Sequence, residues 1–134
     1  MSYTVEWHDE DKTVIVARSG EQLTYPELDR MFYDALALAQ DTNQPFYAVV
    51  DLCNLKRVEA MNIREMQRLG QHPFTHHPNR QKTIITFLSP RVRIIVDAFV
   101  RLFPRYARGL ATADDLPHAL RLIAADKQKA TTAG

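Results

Sequence analysis

Two stretches of this chain, FYAVVDL at 46–52 and KTIITFL at 82–88, are apolar and rich in β-branched residues, with no regular polar alternation. Runs this short are strands rather than buried helices, and a strand without a polar face is covered on both sides. Helices flanking a mostly parallel sheet meet that condition, so these two runs constrain the fold class more than any other feature.

The remaining segments fit around them. Residues 4–8 and 13–17 are short and β-branched, and the Asp9-Glu10-Asp11-Lys12 segment between them has the composition of a hairpin turn. In Thr24-Tyr25-Pro26-Glu27 an N-cap threonine, a first-turn proline and a glutamate three residues on satisfy the free amides of a helix start. Leu28, Met31, Phe32, Ala35, Leu36 and Ala39 then recur at helical spacing, predicting a helix to about Asp41. Asn62 and Glu65 form a second capping pair before a short helix that stops near residues 70–73, and Ser89-Pro90 opens a long one ending near Pro104 or Tyr106. Residues 109–112 read as a last short strand, with Thr112 and Asp115 capping a final helix whose stripe is Leu116, Leu120, Ile123 and Ala124. The predicted order is ββαβαβαβα: one α/β domain over residues 1–126, a mixed and mostly parallel sheet with flanking helices, and a flexible polar tail at 127–134.

Composition narrows the function classes. A net charge of +1 argues against a dedicated nucleic-acid binder. Arg91, Arg93, Arg101, Arg105 and Arg108 are candidates for a nucleic-acid or anionic-lipid face. On a helical wheel, however, Arg93, Asp97, Arg101 and Arg105 fall on one side with no aromatic between them to stack on a base, so they read as a solvated helix face. The longest apolar stretch, 94–103, is broken by Asp97 and Arg101, so no membrane span is expected. Glu6, Asp9 and Glu10 stand where a secretion signal needs a basic and then an apolar run, and Cys53 is the single cysteine; both fit a cytoplasmic protein without an internal disulfide. Four glycines and no phosphate-loop motif leave no cofactor to expect.

The strand ending in VVDL, the loop after it and the short helix that follows resemble the STAS fold of bacterial anti-sigma-factor antagonists (SpoIIAA-like proteins), and the closing KTIITFL, helix and GLATADDLPHALRLI resemble the end of such domains. In that family an Asp-Ser-Ser-Gly segment at the start of the helix carries a phosphorylatable serine. Alignment by the strand puts Glu59-Ala60-Met61-Asn62 there, so the resemblance implies Glu59 in the aspartate's place and no phosphorylation, because Ala60 and Met61 occupy the serine positions. It implies a regulatory, non-enzymatic module for protein–protein interaction, and in outline it extends to lipid-carrying SEC14-like domains.

Asp51, Cys53 and Asn54 follow a strand at its carboxyl end, where open α/β sheets usually place ligands. Cys53 has no histidine near it in sequence to act as a base, so a structural thiol is expected. His72, His76 and His77 are weak metal candidates in a segment punctuated by Pro73 and Pro78, which reads instead as a solvated loop. The sharpest feature is the helix after Pro90. Its Val92, Ile95, Val96, Ala98, Phe99, Val100, Leu102 and Phe103 cover an arc of roughly 200°, about twice what packing on one sheet needs. Neighbouring helices, a homodimer through this helix, or an apolar ligand beneath it each account for the excess. The candidate partner- or ligand-binding residues are therefore Asp51, Asn54, Glu59, Asn62, Phe99 and Phe103. The leading reading is a STAS-like interaction module, the second a carrier of an apolar small molecule, and the third an enzyme using Cys53 or the histidine segment.

Overall fold

In the structure, a computed structural model that describes residues 3–59 and 61–133, the chain opens with a hairpin of β1 (Tyr3–Trp7) and β2 (Val14–Ser19). Asp9 fastens its turn, accepting from the amides of Thr13 at 2.9 Å and Val14 at 3.0 Å and from the Thr13 hydroxyl. The rest of the chain is β3 (Gln22–Leu23), α1 (Tyr25–Ala39), β4 (Phe46–Asp51), β5 (Arg57–Val58), α2 (Ile63–Gly70), β6 (Arg80–Thr86), α3 (Pro90–Leu102), α4 (Pro104–Ala107), β7 (Leu110–Ala113) and α5 (Leu116–Ala133). The α/β class and the mixed, mostly parallel main sheet are as predicted.

The main sheet runs β1-β2-β4-β6-β7, with β1 antiparallel to β2 and every other pair parallel. Parallel strands that follow one another in this way, joined by right-handed crossovers, carry their connecting helices on one face. Only the helix after the last strand is left to cover the other. The packing follows that rule. Ile15, Phe46 and Ala48 meet Ala35 and Ala39 of α1, and Ala17 and Val50 meet Met31. On the opposite face Val14, Val16, Tyr47, Val49, Ile84 and Ala113 meet Ala119 and Ile123 of α5. All six residues of β4 are consequently buried. Each large apolar side chain so enclosed contributes about 1.5–3 kcal/mol. At the edge, β1 buries Tyr3, Val5 and Trp7 in part and leaves Thr4 and Glu6 exposed, because α1 reaches it on one face only.

The predicted order needs four corrections. Gln22–Leu23 and Arg57–Val58 form a separate two-stranded parallel pair, drawn together by the Lys56 and Arg57 amides donating to the Glu21 carbonyl. The helix after Ser89 stops at Leu102, and Pro104, which cannot extend it, begins the short α4. Thr112 lies in β7, and Asp115 alone caps α5, accepting from the His118 amide at 2.9 Å. Finally, α5 continues to Ala133, past the expected domain end at Asp126. The Thr24–Glu27 and Asn62–Glu65 capping boxes and the Ser89 cap form as read.

Candidate functional site

At the carboxyl edge of the sheet, on the α5 face, Asp51 is buried and saturated. It accepts from the Thr86 hydroxyl at 2.8 Å, the Cys53 amide at 3.1 Å and Arg18 Nε at 3.2 Å. Burial disfavours its charge, but these donors outweigh burial and hold its carboxyl below the usual range. The Cys53 thiol points to Thr86 Oγ1 at 3.6 Å and the Asp114 carbonyl at 3.5 Å. Burial, with the carboxylates of Asp51 and Asp115, pushes it up, the reverse of what activates a nucleophile. Asn54 is exposed in the turn beside it. A ligand crevice opens at such an edge where the strand order reverses. Here the parallel strands run β2-β4-β6-β7 without reversal, so the cluster is a fastening rather than a cleft.

The histidines separate. His72 is buried and its Nδ1 accepts from the Phe74 amide at 3.1 Å; its Nε2 lies 3.6 Å from Asp29 Oδ1, too long for a hydrogen bond. Burial lowers its pKa, against the pull of Asp29. His76 Nε2 meets the Gly70 carbonyl at 3.0 Å, and His77 packs edge-on to Phe46 at 5.2 Å. Among the described residues no group of three or more His, Cys, Asp or Glu is placed to hold a metal. The segment expected as a solvated loop is instead anchored in the core by His72 and Phe74, which stack around Phe32 at 5.4 Å and 6.0 Å.

On the other face of the sheet α3 leaves space beneath it. Val92 is its one fully buried residue, while Ile95, Val96 and Phe99 border a partly open cavity of about 210 Å³. Its floor is Val50, Ile85 and Leu110 of the sheet, and its walls are Leu28 and Phe32 of α1 and Met66 and Leu69 of α2. An apolar cavity of about 150 Å³ already admits a benzene-sized guest. Arg80, at the start of β6, is the cation on this lining, and Glu59 and Glu65 stand with Met61 where the chain leaves the other ends of the strands. A wider but shallow hollow between α1 and residues 68–73 carries Asp29, Arg30 and Arg68 on its walls and offers little apolar enclosure.

Of the residues chosen from sequence, Glu59 and Phe99 thus belong to the cavity, with Met61. Phe103 stacks on Phe99 at 5.5 Å, and Asn62 is engaged in capping α2, accepting from the Glu65 amide at 2.9 Å. Asp51 and Asn54 lie apart from it, and Ala60 lies outside the described residues. Arg80, Met66 and Leu69 were not singled out. The one sequence signal for the cavity was the excess apolar arc of α3. That arc divides: Ile95, Val96 and Phe99 turn inward, whereas Val100 (41% exposed) and Leu102 (49%) face solvent; outside the arc Ile94 (68%) and Leu88 (72%) are exposed as well. No helix among the described residues is long and apolar enough to cross a membrane. Comparison with protein-family models, curated proteins and solved structures finds no match to this chain.

Proposed function

We propose that this chain is a non-catalytic binding module that holds a small apolar or amphipathic molecule in the cavity between α1, α2, α3 and the sheet. The observation that carries this reading is the lining itself: three helices and three strands of the main sheet, with Leu23 of β3, converge on about 210 Å³ of space with mostly aliphatic and aromatic side chains.

Calorimetric titration with 1-octanol, an uncharged chain, tests the reading. One saturable site per chain is expected; the lack of any saturable heat, for octanol and for charged eight-carbon chains alike, overturns it.

The STAS-like interaction reading has a separate observation in its favour, the exposure of the large apolar side chains Leu88, Ile94, Val100 and Leu102 on and just before α3. It is checked by native mass spectrometry at low micromolar concentration, where a dimer that Ile94→Glu splits supports it and an unaltered monomer counts against a second copy as the partner.

A further inference from the structure

Resting on the binding reading above, we infer that the occupant is an anionic amphiphile, with a carboxylate head seated on Arg80 and an aliphatic tail lying beneath α3.

The argument begins with what Arg80 lacks. A guanidinium has five N–H donors and remains charged in a protein. Arg80 donates from Nε to the Thr75 carbonyl at 3.1 Å and from Nη1 to Thr83 Oγ1 at 2.9 Å and the Gly109 carbonyl at 3.1 Å. All three acceptors are neutral, and among the described residues no carboxylate pairs with it. Its Nη2 makes no hydrogen bond to a described residue. This half-buried cation thus borders an apolar cavity with neutral acceptors alone as the described partners of its side chain.

The surroundings fix the type of head. Nη2 offers two hydrogens, and the buried Thr83 hydroxyl, which accepts from Nη1, keeps its own proton for a further acceptor. That is a donor set for one small oxyanion. It is short of what a dianionic phosphate requires, since among the described residues no second cation lies on the lining. Gly109 keeps the place clear: a Cβ there would come within 2.7 Å of Nη2.

Polarity fixes the direction. Arg80 and Leu110 begin β6 and β7, whereas Glu59 and Glu65 follow the far ends of the strands, so a head group is attracted at one end of the cavity and repelled at the other. Between them lie Ile85, Val96 and Phe99 for the tail.

The test compares octanoate, 1-octanol and octyl phosphate by calorimetry at pH 7, on the full chain and on Arg80→Gln. Octanoate is expected to bind at least about tenfold more tightly than 1-octanol. Arg80→Gln should remove that preference while leaving 1-octanol binding in place. If 1-octanol and octanoate bind the unaltered chain equally, Arg80 only fastens the Thr75 and Gly109 carbonyls and the inference fails, although the cavity reading stands. Tighter binding of octyl phosphate overturns the choice of a carboxylate. Because the first comparison uses the unaltered chain, a failure of Arg80→Gln to fold does not remove the test.

Discussion

Replacing Val96 by tryptophan is expected to abolish 1-octanol binding while leaving the fold intact and raising its unfolding midpoint. Val96 faces the cavity from α3, so a larger ring at that position enters space now empty rather than space held by another side chain. The added ring buries apolar area against the aliphatic lining, and it removes the room an eight-carbon chain needs. The loss of affinity should exceed about tenfold, or 1.4 kcal/mol. A substitution into an already packed core does the opposite, costing about 1–3 kcal/mol through strain. Calorimetry and thermal unfolding on the same sample separate the two. Unchanged octanol affinity in Val96→Trp places the ligand elsewhere.

Asp51→Ala should cost the protein about 3 kcal/mol without altering ligand affinity in the variant that remains folded. The substitution leaves the fully buried Thr86 hydroxyl, the Cys53 amide and Arg18 without their common acceptor. Arg18 is 43% exposed and turns to solvent, so the cost is that of leaving the Thr86 hydroxyl and the Cys53 amide unpaired, about 1–3 kcal/mol for each such group. For a domain of this size the midpoint falls by about 10 °C. The pH dependence carries a definite sign. The folded carboxyl lies below its unfolded value, so its contribution is present above the unfolded carboxylate range near pH 3.9 and is lost as pH falls through the folded value. Asp51→Asn should therefore flatten the acid limb of a stability–pH profile. A variant as stable as the parent would show that Thr86 and Arg18 find other partners.

Local chemistry was legible in the sequence where it acts over a few residues. Thr24 with Glu27, Asn62 with Glu65, and Ser89 before Pro90 mark helix starts because each cap closes within three positions. The unbroken apolarity of β4 announced a strand covered on both faces, and it is. What could not be read is anything set by the strand order. The one-directional succession of β2, β4, β6 and β7 decides that three helices share one face, and that decision moves the cavity away from the Asp51 edge. Arg80, two residues before the predicted strand, gave no signal because two of its three acceptors, Thr75 O and Gly109 O, are backbone carbonyls brought near by folding. The β3–β5 pair escaped notice for a similar reason, since two residues on each side carry no periodicity. His72 and Phe74 read as loop residues from their proline neighbours, yet packing against Phe32 buries both.

The central claim is that the cavity beneath α3 receives an aliphatic chain, and methyl-resolved NMR of the full chain during titration with octanoate tests it most directly. Shifts confined to the methyl groups of Leu28, Met66, Leu69, Ile85 and Val96, with Val14, Val16 and Ile123 on the α5 face unmoved, are the expected result. Shifts that instead gather on the exposed Ile94 and Leu102, or on the α5 face, would contradict it.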